Sequence, residues 1–296
     1  MDVWRTSTWK PLRQSLWTEN HSQARILRMD IDGRVSRRYE VYDEDARLWE
    51  SAVGELVRLR TWDIFGRYLP PEGRVLDVGG GPGTHAAHLA GLGYEVVLLD
   101  PVERHVEAAR SRAEVEGGLT FGARVGEARD LAEPDESFDA VLLLGPLYHL
   151  VEPGARRRAL SEARRVLRPG GVLLAEVITR YSWVMDATLK GILDRTGIWD
   201  DFSRNIESGL SQNPDSLSEG GFWAYFHGPQ ELRDELSESG FADCRLVAVE
   251  GFAWLLGDLA QRLADPELLL DAIRITEMEG SMLGCAAHVM GIATRN

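Results

Sequence analysis

Lysine and cysteine are both scarce in this 296-residue chain, with Lys10 and Lys190 alone among 33 basic residues and only Cys244 and Cys285 as thiols. Two isolated cysteines exclude a disulfide framework and lack the paired spacing of a zinc site. The thiols are expected to be reduced, as in a cytoplasm. No run of 18 apolar residues occurs, and the first residues, Met1 to Pro11, contain no apolar stretch of the kind that directs export, so neither membrane spanning nor secretion is expected. Cationic surfaces are scarce too: the formal net charge is -14. Such a charge repels phosphate backbones and anionic lipid heads, which argues against nucleic acid or a membrane as the partner and leaves a small molecule. His, Cys, Asp and Glu nowhere fall at convincing ligand spacing, so no metal is expected. Hydrophobic residues make up 44% and charged residues 27%, the composition of a globular enzyme with a packed core.

The positive charge is concentrated at one end. Residues 1–38 hold Arg5, Lys10, Arg13, Arg25, Arg28, Arg34, Arg37 and Arg38 against four acids, and Trp9, Leu12, Leu16 and Trp17 recur at helical spacing. This arm is set apart from a body over 39–296. It packs either on its own body or on a second subunit, and the second use would make the protein a homo-oligomer.

From about residue 43 to 69, Leu48, Ala52, Leu56, Leu59, Ile64, Phe65 and Leu69 read as helical, with Pro70-Pro71 as the stop. Beyond it strands and helices alternate. Strands are expected at Arg74–Val78, Glu95–Asp100, about 121–125, Ala140–Leu144 and Val172–Ile178, with helices at Thr84–Gly91, Val102–Val115 and Ala155–Leu167 between them. That spacing predicts an α/β fold, a doubly wound, mostly parallel sheet with helices on both faces.

The alternation is interrupted at about 179–228, a segment rich in Trp, Tyr and Phe. Insertions after the carboxyl ends of parallel strands sit over the ligand crevice, so this segment is expected to be a lid or substrate wall. Gly228-Pro229 opens a further helix, a strand follows at Arg245–Val249, a second insertion covers 251–285, and a last strand, expected antiparallel, ends the chain at Ala286–Thr294.

The chemistry is concentrated in Val75-Leu76-Asp77-Val78-Gly79-Gly80-Gly81-Pro82-Gly83, a strand running into a glycine turn that lets backbone approach a ligand closely. Gly81-x-Gly83-x-x-Ala86 by itself also fits the dinucleotide fingerprint. Two acids separate the cases. Asp77 stands two residues before the first glycine, where it repels a pyrophosphate and suits an ammonium, and Asp100 closes the next strand where a carboxylate takes ribose hydroxyls. A ligand with ribose and ammonium but no phosphate satisfies both.

Together with Val96 to Asp100, Ser137-Phe138-Asp139-Ala140-Val141 and Arg168-Pro169-Gly170-Gly171-Val172-Leu173-Leu174, the glycine turn resembles the motifs of class I S-adenosylmethionine-dependent methyltransferases of the small-molecule type, over about residues 40–295. The resemblance implies a Rossmann-like seven-stranded sheet whose last strand is antiparallel, with S-adenosylmethionine as cofactor and S-adenosylhomocysteine as product. It implies that Gly79 and Gly81 line the methionine part, Asp77 holds its ammonium, Asp100 binds the ribose, and Pro101 lies beside the adenine. Glu127-Ala128 stands where the family often has Asp-Ala next to the adenine amino group, and Leu144 begins a stretch of backbone contacts. Tyr39, Tyr42 and Arg60 are weaker candidates for covering the cofactor or pairing its carboxylate.

Methyl transfer from a sulfonium is an in-line displacement, so the protein's main task is alignment, with removal of a proton where the nucleophile carries one. Histidine suits that task. His149, after the fourth strand, is the first candidate for base or substrate anchor, and His288, opening the last strand, is the second. His227 is a further candidate for the cleft, whereas His85 and His88 are assigned to the first helix. The expected reaction is methylation of oxygen, nitrogen or carbon on a small aromatic or hydrophobic metabolite, in a setting such as natural-product tailoring. Two alternatives remain open: a nicotinamide oxidoreductase, disfavoured by Asp77 and by the lack of a Tyr-x-x-x-Lys motif, and an idle binding protein of the same fold.

Overall fold

The computed structural model describes residues 38–39, 44–115, 121–213 and 222–296. Residues 1–37 of the basic arm and Tyr42 lie outside the described residues, and with them the proposed subunit contact. No helix among the described residues is long and apolar enough to cross a membrane.

The helical stretch before the first strand is two helices, α1 (Glu44–Trp49) and α2 (Ala52–Tyr68). The break falls at Ser51, whose hydroxyl accepts the Gly54 N–H at 3.0 Å and so replaces the turn that the backbone leaves unsatisfied. Then come β1 (Arg74–Val78), α3 (Thr84–Gly91), β2 (Glu95–Asp100), α4 (Glu103–Val115), β3 (Gly122–Val125), β4 (Phe138–Leu143), α5 (Pro146–His149), α6 (Pro153–Val166) and β5 (Leu167–Ile178). After β5 run α7 (Ser182–Leu189), α8 (Ile198–Ser208), β6 (Leu210–Asn213), β7 (Phe222–Tyr225), α9 (Pro229–Glu238), β8 (Phe241–Ala248), α10 (Leu259–Arg262), α11 (Glu267–Thr276) and β9 (His288–Arg295).

Seven strands form one sheet in the order β3-β2-β1-β4-β5-β9-β8. β9 alone is antiparallel, running between β5 and β8. The expected seven-stranded sheet with an antiparallel last strand is what the structure shows. Apolar residues on alternate strand positions divide the core into two layers: Leu76, Val78, Val141, Leu173 and Val177 meet α6 and α9 on one face, and Val75, Leu98, Leu142, Leu174 and Met290 meet α2 on the other.

Adjacent strands β1 and β4 are wound in opposite directions from the sheet centre, and this switch point opens a crevice at the carboxyl ends of the strands. The aromatic segment 179–228 holds α7, α8 and a two-stranded hairpin, β6 with β7. Trp183, Phe202 and Phe226 form a small core of their own with Ile198 and Ala224. The aromatic content there therefore serves mostly to fold the insertion, because a short helical pair and a hairpin have no apolar sheet face of their own to pack on.

Helix α2 is tied to the far side of the sheet by Arg60. Its guanidinium is fully buried and donates to the Val249 carbonyl at 2.8 Å and to Glu277 at 2.5 Å, with Asp63 as a further partner. Arg67 and Arg274 complete the network around Asp63 and Glu277. Replacing Arg60 by Met is expected to lower unfolding free energy by about 3 kcal/mol, since it leaves the buried Val249 and Ala248 carbonyls without that donor and removes one of the two arginines on Glu277, with Arg67 remaining. Denaturant unfolding measures this, and calorimetry with S-adenosylhomocysteine on the remaining folded protein is expected to show unchanged affinity.

Candidate active site

At the switch point lies a cavity of about 510 Å³. Its floor is the glycine turn between β1 and α3. Gly79 and Gly81 adopt positive φ of 72° and 55°, the left-handed conformation open to glycine at little cost. The Gly79 N–H bonds the Leu99 carbonyl at 2.7 Å, which ties the turn to β2. A Cβ on Gly80 would come within 2.5 Å of the Asp77 carboxylate, so glycine there leaves the acid room to stand beside the turn.

Asp77 is buried, and neither of its oxygens has a hydrogen-bond partner among the described residues. Burial, with the negative charge of Asp100 nearby, pushes its carboxyl up to about 7. A buried acid without a partner is costly, and a cation brought into the cavity relieves that cost. Asp100 is different. It accepts the Gly81 N–H at 2.9 Å, the Val102 N–H at 2.8 Å and pairs with His105 Nδ1 at 3.2 Å. These contacts lock the carboxylate at the end of β2, and of its roughly four lone-pair positions one is left for a hydroxyl.

Pro101, Glu127, Ala128 and Leu144 all line the cavity, as do Gly79, Gly81, Asp77 and Asp100. The structure thus brings together eight residues that stand far apart in sequence. Glu127 is paired with Arg129 at 2.6 Å, which holds its carboxylate at the rim. Arg60 is not among them: it points to the opposite end of α2, into the ion-pair network, because its guanidinium finds fixed acceptors there. Tyr42 lies outside the described residues.

Tyr39 covers the cavity from above. Its ring meets His105 edge-on at 5.1 Å, and its hydroxyl lies 2.9 Å from His149 Nε2. His149 lines the cavity at the end of α5, with Phe222 of the insertion against its ring at 6.2 Å. No described residue of 179–228 lines the cavity itself; the insertion reaches its wall through Phe222 and the Trp223 backbone at His149, and through Tyr148, which packs on the insertion's core. Burial, aided by the charge of Arg38, lowers the His149 imidazole to about 4, so it is neutral at pH 7 and suited to donating or accepting a hydrogen bond without charge.

The other histidines separate. His85, assigned to the first helix, is on that helix but also lines the cavity, with the Trp62 indole N–H donating to its Nδ1 at 3.2 Å and burial lowering it to about 3. His88 stacks on Trp62 at 3.9 Å. His227 is fully buried against Glu235 and does not line the cavity. His288 opens β9 at the rim of the sheet, yet its Nδ1 and its backbone N–H both bond Glu250, and it too does not line the cavity.

Among the polar lining residues that the sequence motifs do not point to are Glu44 and Arg47 on α1, Tyr148 on α5 and Glu176 on β5. Arg47 bonds Glu44 at 2.5 Å. Glu176 carried one usable signal, an acid within the apolar run Val172 to Ile178, and a strand buried on both faces holds a charge only where a cavity receives it.

This geometry can be set beside known proteins. Residues 75–171 match the model of the methyltransferase domain family. The ubiquinone biosynthesis O-methyltransferase of Cereibacter sphaeroides (strain ATCC 17025 / ATH 2.4.3) is 38% identical over 113 residues, covering 38% of this chain and 44% of that protein. The demethylmenaquinone methyltransferase of Clavibacter sepedonicus is 39% identical over 163 residues, covering 52% of this chain and 63% of that protein. The chain spans about half the length of the curated relatives it matches. Among solved structures, a SAM-dependent methyltransferase from Methanosarcina mazei superposes with a TM-score of 0.55 at 23% identity, over 78% of this chain and 96% of that one. Residues 75–171 thus match that family's model, and the fold of the chain is that of SAM-dependent methyltransferases.

Whether the residues suit S-adenosylmethionine is decided by Asp77 and Asp100. An unpartnered buried carboxylate at the turn fits an ammonium, the single remaining acceptor position on Asp100 fits a ribose hydroxyl, and neither fits a phosphate. Binding a cation at Asp77 favours its ionised form. Below pH 7 the carboxyl must release a proton on binding, so affinity for S-adenosylhomocysteine is expected to rise as pH increases from 5.5 toward 8. Calorimetry in buffers of different ionisation heat checks this, and Asp77→Asn is expected to remove the dependence and weaken binding.

Proposed function

We propose that the protein is an S-adenosylmethionine-dependent methyltransferase acting on a small, aromatic or hydrophobic acceptor. The observation that carries the reading is the pair of carboxylates at the glycine turn, one buried without a partner and one held by backbone donors. A nicotinamide cofactor would place its pyrophosphate against Asp77, where burial and charge oppose it.

Bound S-adenosylmethionine supplies a methyl group on a sulfonium, an electrophile that needs no further activation. Asp77 and Asp100 fix the two ends of the cofactor, so that alignment contributes most of the rate. Glu127 and Ala128 take the adenine side, with Pro101 beside them. Tyr39 shuts the mouth between His105 and His149 and excludes water. The acceptor's place is the part of the cavity beyond β4, walled by Tyr148, His149, Leu144 and Leu150. Aromatic and aliphatic walls with few polar groups suit a planar or greasy molecule, such as an intermediate in natural-product or quinone tailoring. The names of the Cereibacter and Clavibacter relatives agree with a ring-bearing acceptor.

Asp100→Ala is expected to abolish measurable binding of S-adenosylhomocysteine while far-UV circular dichroism is retained, and unchanged affinity would remove the assigned site. In His149→Ala, turnover of labelled methyl groups is expected to fall at least tenfold with cofactor affinity within threefold of the parent. A fall in both together would place His149 in the cofactor subsite.

A further inference from the structure

The cofactor acids stand on β1 and β2 and in the turn after β3, but the cavity continues across β4 to β5. Register shows what waits there. Asp77 pairs with Leu142, and Leu142 pairs with Leu174, so Leu174 lies in the same row two strands away. Glu176 is two residues further along on the same face. It therefore stands about 10 Å across and about 7 Å along the strands from Asp77, toward their carboxyl ends. Glu176 lines the cavity and is 5% exposed, and among the described residues its carboxyl feels neighbouring charges but no hydrogen bond.

Resting on the cofactor assignment above, we propose that Glu176 is the catalytic base that takes the proton from the methyl acceptor, and that the acceptor is a protic nucleophile: a hydroxyl, a phenol or an amine. A buried acid without a donor has spare acceptor capacity for one O–H or N–H, and its place beyond β4 faces acceptor rather than cofactor. As the acceptor's lone pair forms the new bond to the methyl carbon, the carbon–sulfur bond breaks and its electron pair stays on sulfur. The proton leaves the nucleophile for a Glu176 oxygen. The positive charge of the sulfonium is thus cancelled at sulfur and reappears as the proton on the carboxylate, with no further reagent.

Burial pushes the Glu176 carboxyl up to about 7, which suits a base at neutral pH. The charged groups that bear on it are His288 and Arg47, which oppose the rise, and Glu250 and Glu44, which add to it; the Tyr148 phenol shares the same field. Glu250 holds His288 through two hydrogen bonds, and this pair raises the imidazole above its ordinary value. His288, the second candidate for the base, has no place in the cavity, and beside Glu176 it opposes the rise of that carboxyl.

The test uses the full chain, calorimetry with S-adenosylhomocysteine, and transfer of labelled methyl from S-adenosylmethionine to catechol, phenol, a primary amine and, as an aprotic control, a tertiary amine. The wild-type protein is expected to methylate at least one protic acceptor, with a rate that rises with pH through about 7. Glu176→Gln should bind S-adenosylhomocysteine within twofold of wild type, unfold at the same or a higher temperature because a buried charge is gone, and lose at least a hundredfold in turnover together with the pH rise. Glu176→Asp should keep part of the rate and the same pH rise. The proposal is overturned by Glu176→Gln retaining turnover within threefold or keeping the pH rise. It is equally overturned by loss of product binding in that variant, or by a wild-type protein that binds the product and methylates only the tertiary amine or nothing. Wild type that fails to bind S-adenosylhomocysteine instead sinks the methyltransferase reading, and this proposal with it.

Discussion

A carboxylate sealed in a protein without a donor is one of the more expensive arrangements a fold can hold, and among the described residues Asp77 is held that way near the end of β1. Much else follows from where it stands. Positive φ at Gly79 and Gly81 bends the chain away just after it, and the missing Cβ of Gly80 leaves space for its oxygens. The reversal of winding between β1 and β4 leaves the same spot uncovered, because helices depart to opposite faces and no element crosses the gap. The site is thus an unmet electrostatic demand placed where the topology leaves a hole.

Acids are distributed across the sheet in a way that separates two tasks. Asp100 is held by two backbone donors and His105 with one acceptor position left, Asp77 has no partner among the described residues, and Glu176 faces the cavity on the other side of the switch point. Rigid and unsatisfied carboxylates have different uses: the first fixes geometry, and the second binds a donor. Helix α2 supplies the wall behind them, and its position depends on Arg60, whose guanidinium ties the helix to the turn after β8 and to Glu277. A charged group that resembles a ligand contact on paper is here a tie between helix and sheet.

The histidines show how strongly burial decides role. His149, buried under Tyr39 beside Arg38, is kept neutral, whereas Glu250 raises the His288 imidazole above its ordinary value. One follows a strand and the other opens one, both in the same sheet. The partner each side chain meets, and not the residue type, sets what proton chemistry is open to it.

Most of the sheet was legible from sequence, since the period of the apolar residues distinguishes strand from helix and Pro70-Pro71, Gly83 and Gly228 mark element ends. The glycine turn with Asp77 and Asp100 was legible for the same reason: its chemistry is local, carried by backbone conformation and a strand of known direction. The hairpin β6 with β7 was not, because its pairing is decided by the core that Trp183, Phe202 and Phe226 form. Nor was the fate of Arg60, which hinges on Glu277, 217 residues away. Glu176 and His288 lie on adjacent antiparallel strands whose register, Ile178 with His288, is fixed only when β9 inserts between β5 and β8. Sequence by itself determined the fold class and the glycine-turn end of the crevice, where the chemistry is written in short-range geometry. Tertiary structure alone decided the acceptor end, because there the solvation and charge of each group come from residues far along the chain that only packing brings together.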